Sequence, residues 1–184
     1  MNANALPGFS SPSASTEVPL EMLSACHGRV ERQCQTLQRL QRHLLDHGSD
    51  EQASQAAQAV LRYFDTAARD HHADEEQDLF PALLEAVAGS DAVCLRDLIQ
   101  TLLAEHQDIE RRWQSLRQTL SAIAQGQAST LQDEAVTTFV SAYSAHIERE
   151  ETELLPLAAR LLDDAALGRI GRAMRLRRGI EAVD

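Results

Sequence analysis

The chain has 184 residues, a mass of 20.3 kDa and a formal net charge of −11. That length buries a real core as one domain, and 43% hydrophobic residues with only 8 glycines and 5 prolines exclude a disordered or collagen-like chain. The acidic balance argues against nucleic acid as a partner, no apolar run approaches the ~18 residues of a membrane span, and the start lacks the basic-then-apolar pattern of a secretory signal.

Aromatics make up only 4%, and Ala, Leu, Gln, Glu and Arg dominate, a composition that favours helices over strands. The cysteines, Cys26, Cys34 and Cys94, fit neither a CxxC pair nor a disulfide framework, so a reducing cytoplasm is the expected location. Every basic side chain other than histidine is Arg, which reads as coding bias.

Residues 1–17 are small and polar, carry no periodicity and read as a mobile N-terminal tail. From Val18 to about Leu45, apolar residues recur at helical spacing: Leu20, Leu23, Val30, Cys34, Leu37, Leu44. His47-Gly48-Ser49-Asp50 is a turn with Asp50 as N-cap. A second helix is predicted from about Glu51 to Val87, seamed by Ala57, Leu61, Phe64, Ala68, Leu79 and Leu83 and kinked near its end by Pro81. After a turn at Ala88-Gly89-Ser90-Asp91, a third helix carries Leu95, Leu98, Leu102, Ile109, Trp113, Leu116, Leu120 and Ile123 and ends at Gln125-Gly126-Gln127. A fourth runs from about Thr130 to Leu162 through Ala135, Phe139, Tyr143, Leu154, Leu157 and Leu161, kinked by Pro156. The expected fold is all-α, an antiparallel up-down four-helix bundle over 18–162, with a short basic helix and frayed end at 163–184.

Some seam positions are polar. Each long helix places one histidine in its inward stripe: His27, His71, His106 and His146. The second and fourth add Glu75 and Glu150 four residues later, one turn along the same face. Buried carboxylates without partners are expensive, and a metal among four imidazoles removes that cost. Counting from each histidine to the next turn and back leaves mismatches of two residues or fewer, so at ~1.5 Å per residue all four fall in one layer. The halves also repeat. His27-Gly-Arg-Val-Glu-Arg resembles His106-Gln-Asp-Ile-Glu-Arg, and the stretch from His71 to Pro81 resembles that from His146 to Pro156. A pseudo-two-fold site suits two metal ions, each with two imidazoles, bridged by two carboxylates. Mixed nitrogen and oxygen donors point to iron, with manganese or zinc as other candidates. The repeat pairs His71 with His146 and Glu75 with Glu150, which leaves His72 and Glu76 as neighbours of the site.

These motifs, HHxxEExxLFP at His71–Pro81 and HxxxEExxLLP at His146–Pro156 with single histidines on the intervening helices, resemble the hemerythrin-like (HHE cation-binding) family over roughly residues 20–160. The resemblance implies a four-helix bundle around a non-haem di-iron centre with an oxo or hydroxo bridge, and by position hands the ligand role to His27, His71, Glu75, His106, His146 and Glu150. Oxygen-carrying members have a fifth histidine on the third helix, four residues from the first; here Leu102 and Glu110 stand at the flanking positions. Four histidines and two glutamates look more like the bacterial proteins linked to nitric-oxide stress and iron–sulfur repair. Those carry an extra N-terminal domain with paired cysteines, for which this chain shows only a short tail. The functional expectation is reversible binding of O2 or NO for sensing, storage or stress response, with a redox partner possible. The alternative is an enzyme that removes peroxide or NO, or an iron donor for cluster repair. The Glu-x-x-His signature of ferritin-like oxidases is absent, since Ser24, Ala68, Leu103 and Tyr143 precede the histidines by three, so a binder is favoured over an enzyme. A third class is an interaction module with a structural metal.

Other residues have plainer readings. Glu31 and Glu110, four after His27 and His106, are surface groups or acceptors that fix imidazole tautomers. Tyr143 is core packing or a donor to a bound ligand, and Phe64 and Trp113 are core. His43 and His47 are surface, Cys34 a small buried hydrophobe, and Cys26 faces away from the site. The run Arg169, Arg172, Arg175, Arg177, Arg178 reads as a solvated helix end.

Overall fold

The computed structural model describes residues 18–87, 91–128 and 130–180. The expected mobile tail, the turn at residues 88–90 and the last four residues lie outside them.

The described residues are all-helical, with no strand among them. Helix α1 (Pro19–His47) opens on a proline, whose missing N–H and fixed φ suit a first helical turn. It closes at Gly48, whose φ of 72° lies in the left-handed region that glycine enters without steric cost. Asp50 caps α2 (Glu51–Asp65) as expected, accepting the Ala53 N–H at 2.8 Å.

The predicted second helix is not continuous. It breaks at Thr66, whose φ and ψ are −127° and −85° and whose Oγ1 donates back to the Arg62 carbonyl at 2.6 Å. That back-bonding competes with the helical ladder and bends it. Helix α3 (Ala67–Asp74) follows, then a π-helical turn at Glu75–Leu79, then α4 (Phe80–Ala86). The second half repeats this order without the break: α5 (Asp91–Ala124), α6 (Asp133–Arg149), a π-helical turn at Glu150–Leu154, and α7 (Leu155–Leu161). Helix α8 (Asp164–Arg177) is capped by Asp163, which accepts the Ala166 N–H at 2.8 Å, an arrangement typically worth about 1 kcal/mol.

The two prolines therefore act through widened turns rather than simple kinks. Proline lacks an N–H and crowds the carbonyl four residues back. The chain meets this by adding a residue to the preceding turn, so the Phe80 and Leu155 N–H groups bond five residues back, to the Glu75 and Glu150 carbonyls. The extra residue rotates the stripe that follows. Leu155, Ala158 and Leu162 are buried, whereas the predicted Leu157 and Leu161 are only partly so. Smaller register corrections put Val60 rather than Leu61, and Ile99 rather than Leu98, in the core.

Helix α1 packs against α2 and α6, and α5 packs against the same two, so the four form a closed ring of neighbours. The interior holds two apolar clusters. One gathers Val30, Cys34, Leu37, Phe64, Ile109, Trp113, Phe139 and Tyr143. The other gathers Leu23, Leu79, Leu83, Leu102, Leu154, Ala158, Ile170 and Met174. At ~25 cal/mol per Å² of buried apolar surface, these clusters supply the main drive for folding. Helix α8 adds Ile170 and Met174 to the second cluster and packs on α1, α3 and the first π turn. No helix among the described residues is long and apolar enough to cross a membrane.

Candidate metal centre

Six polar side chains are buried between these clusters: His27 from α1, His71 from α3, Glu75 at the first π turn, His106 from α5, His146 from α6 and Glu150 at the second π turn. None is more than 4% exposed. All six sequence-predicted residues thus come together in one place.

Their donor atoms divide into two sets. His27 Nε2 lies 2.9 Å from Glu150 Oε2, and His71 Nε2 lies 3.5 Å from Glu75 Oε1 and 3.9 Å from Glu150 Oε2. His106 Nε2 lies 3.3 Å from Glu75 Oε2 and 3.9 Å from Glu150 Oε1, and His146 Nε2 lies 3.1 Å from Glu150 Oε1. Each carboxylate turns one oxygen toward each pair of imidazoles. In both sets the donor atoms lie within 4.8 Å of one another.

A second layer orients the rings. His27 Nδ1 contacts Glu151 Oε1 at 2.5 Å, His106 Nδ1 contacts Glu76 Oε1 at 2.7 Å, and His146 Nδ1 contacts Glu105 Oε2 at 3.0 Å. Ionised carboxylates only accept, so these pairs assign the proton to Nδ1 and leave the Nε2 lone pair facing inward. Arg149 holds Glu105 in place from its other oxygen at 2.9 Å. These acceptors come from neighbouring helices, not from one turn along the same helix. Glu110 instead pairs with Arg69 on the surface at 2.8 Å, and Glu31 is exposed. The doubled glutamates of the two motifs were the available signal: the first of each pair turns inward and the second receives a neighbour's imidazole.

Taken alone, this layer is poorly satisfied. Both oxygens of Glu75 and of Glu150 and the Nε2 of His27 are buried without a hydrogen-bond partner, although oppositely charged atoms lie close by. His106 Nε2 and His146 Nε2 face each other at 3.2 Å. With both protons held on Nδ1, that contact sets two lone pairs against each other unless a proton or a cation lies between. Buried unpaired groups are costly, and lone pairs that converge without bonding one another form a cation cradle.

With no metal bound, the electrostatics fill the cradle with protons on His27 and His106, so their Nε2 lone pairs face inward only once a cation displaces those protons. Burial opposes charge on His27 and His106, but the carboxylates around them win. Glu150 and Glu151 hold His27 up at about 9, and Glu150, Glu75 and Glu76 hold His106 up at about 11. Against the burial that would raise it, His106, His146 and His27 keep Glu150 well below the usual carboxylate range. Burial and Glu150 push Glu75 up. Burial drives His71 down to about 3, against the pull of Glu150, so that ring is neutral and free to ligate. The pair of carboxylates calls for positive charge between them.

The surroundings are mostly as expected. Phe64 and Trp113 are core, and Trp113 Nε1 donates to Asp65 at 3.0 Å. Tyr143 packs against Phe64 and Phe139 in the apolar cluster. His43 sits near the surface against Asp50 at 2.9 Å. Cys26 and Cys34 are buried free thiols, pushed up by burial, Cys34 to about 12. One expectation fails. Arg169 and Arg172 are exposed, but Arg177 and Arg178 are only partly so and turn inward onto Asp74, which is fully buried. An open groove of about 590 Å³ runs over His72, Glu76 and His106 between Arg69 and Arg111.

An all-helical protein with clustered buried imidazoles and carboxylates is a metal-binding class of structure. The chain belongs to the hemerythrin HHE cation-binding domain family, whose pattern matches residues 18–158. An uncharacterized protein of Haemophilus influenzae is 30% identical over 168 residues, spanning 91% of this chain and 94% of its own.

Proposed function

We propose that the protein is a non-haem di-iron protein that binds a small diatomic, O2 or NO, for sensing, storage or stress response. The supporting observation is the division of each carboxylate between two imidazole pairs. On this reading His27 and His71 hold one ion and His106 and His146 the other, with Glu75 and Glu150 spanning both. The unpartnered carboxylate oxygens and the Nε2 of His27 fit that role. Mixed imidazole and carboxylate donors suit iron, and manganese or zinc would meet the same cradle less selectively. Ferrous iron held by these residues would supply the redox change that reversible binding of a small neutral ligand needs. The chain supplies the rest. Glu151, Glu76 and Glu105 fix three imidazoles in the tautomer that ligates. The apolar clusters exclude bulk water.

The reading extends to the whole chain. Residues 18–162 are read as an antiparallel up-down bundle whose ring of neighbours encloses the site, with the described residues of 163–180 as an extension. A reducing cytoplasm suits its three free thiols.

The test is anaerobic loading with ferrous iron, a count of bound metal, and absorption spectra before and after O2 or NO. Two irons per chain and new near-ultraviolet and visible bands are expected, and His71→Ala or Glu150→Ala should lose them. Failure to bind stoichiometric iron, with a fold indifferent to chelator, overturns the proposal in favour of an interaction module.

A further inference from the structure

The two halves of the site are braced differently. Three of the four imidazoles have a carboxylate on Nδ1, whereas the Nδ1 of His71 is buried with no hydrogen-bond partner. The internal repeat shows what is missing, since it sets Cys26 against Glu105 and Asp74 against Arg149. In the second half Arg149 holds Glu105, and Glu105 orients His146. In the first half the same two positions cannot form that chain. Cys26 carries a thiol, which accepts from Arg29 at 3.4 Å, and Asp74 is a carboxylate. The angle of the His71 ring therefore rests on the backbone that carries it, α3 and the first π turn.

Helix α8 holds that backbone. Asp74 is the last residue of α3, stands immediately before Glu75 and is fully buried. Arg178 gives it two hydrogen bonds, at 2.6 Å to Oδ2 and 3.1 Å to Oδ1, and Arg177 gives it a third. Arg177 also reaches on to Asp78 at 2.8 Å and Gln77 at 3.0 Å. One guanidinium therefore grips the chain on both sides of Glu75, a task its forked, rigid donor set suits. Helix α8 begins beyond residue 158, where the family pattern ends.

We propose that Arg177 and Arg178 are positioning residues for the ion held by His27 and His71. Through Asp74 they fix the segment that carries His71 and Glu75, as Arg149 and Glu105 fix His146 for the other ion. This rests on the two-ion reading above. The two ions then depend on different parts of the chain, one on α8 and the other on the α5–α6 pair. Charge alone predicts the opposite result of losing the arginines, because taking two cations away from the layer favours a bound cation. Positioning predicts looser binding of one ion.

The test loads the protein anaerobically with Co²⁺, counts the bound metal, and follows its release into excess chromophoric chelator. Arg177→Ala is the first variant, because Arg178 still compensates the buried Asp74 and the fold is kept. It should quicken release of one ion at least about tenfold and leave the other at its wild-type rate. Arg177→Ala/Arg178→Ala should act more strongly in the same direction. Glu105→Gln should quicken the other ion, so that Glu105→Gln combined with Arg177→Ala quickens both. Met174→Ala empties a buried position of α8 and keeps both arginines, so it lowers stability and should leave both rates unchanged. Unchanged or slower release from Arg177→Ala, equal quickening of both ions, quickening of the same ion by Glu105→Gln, or an equal effect of Met174→Ala overturns the positioning role alone. A wild type that does not bind two ions overturns the two-ion reading and this assignment with it.

Discussion

At the scale of single residues, the centre depends on side chains that touch no metal donor atom's inward face. Glu151 and Glu76 accept from His27 and His106 at 2.5 and 2.7 Å while remaining partly exposed themselves. Their work is to keep the proton on Nδ1 and the ring at one angle. Loss of such an outer acceptor typically costs ~10–100-fold in metal affinity. Glu76→Gln and Glu151→Gln should therefore weaken binding by about that factor in competition with a chromophoric chelator, with the helical circular dichroism unchanged. Glu110→Gln, which breaks only a surface pair with Arg69, should leave affinity where it was, because exposed pairs contribute little. Equal behaviour of the three variants would show that the Nδ1 contacts do not tune the site. The contrast also marks what the sequence made legible. The positions of His27, His71, Glu75, His106, His146 and Glu150 follow from helical periodicity and equal depth, since each lies on its own helix's inward stripe. The acceptors reach in from neighbouring helices, so the spacing around each histidine says nothing of them; only the doubling of Glu75-Glu76 and Glu150-Glu151 marks two of the three.

At the scale of elements, the π-helical turns and α8 explain the remaining misreadings. A period of 3.6 carried through Glu150–Leu154 lands on Leu157 and Leu161, whereas the widened turn lands on Leu155, Ala158 and Leu162. Proline announces that a helix must adjust, but its local chemistry does not choose between a bend and an added residue. The basic run at the chain's end misled in another way, since charge normally marks a solvated face. Here Asp74, fully buried beside Glu75, accepts from Arg177 and from Arg178, whose nearest contact is 2.6 Å. Arg177 also donates to Asp78 at 2.8 Å and to Gln77 at 3.0 Å, which clamps α8 across α3 and the first π turn. Removing the cations leaves a buried carboxylate without compensation, a change that typically costs ~3–5 kcal/mol. The double variant Arg177→Ala/Arg178→Ala should therefore lose about that much stability to denaturant. Asp74→Asn should lose less, since both guanidinium groups retain access to water. A double variant within about 1 kcal/mol of wild type would mean that the clamp is ornamental.

At the scale of the whole molecule, a polar layer lies between two apolar clusters. The clusters hold the helices together without it, so the fold should persist when the layer is empty of metal. The layer itself is then the weak plane. Its unpartnered carboxylate oxygens and opposed imidazoles are buried, and each unmet group of this kind costs about 1–3 kcal/mol. A cation bound only by the folded state relieves that cost and stabilises by mass action, about 4 kcal/mol per site at a thousandfold excess over Kd. For a chain of this length, each kcal/mol moves the midpoint of thermal unfolding by about 2–4 °C. Adding metal to the metal-free protein should therefore raise Tm by roughly 10 °C or more, and chelator should return it to the starting value with helicity retained below the transition. Glu150 lies within 3.9 Å of all four imidazoles, nearest His27 at 2.9 Å, so Glu150→Gln should flatten the response to metal more than any single histidine replacement. A Tm that does not move with metal, in a protein shown by direct count to bind it, would place the ions at the surface and leave the buried layer as a polar spacer between two cores.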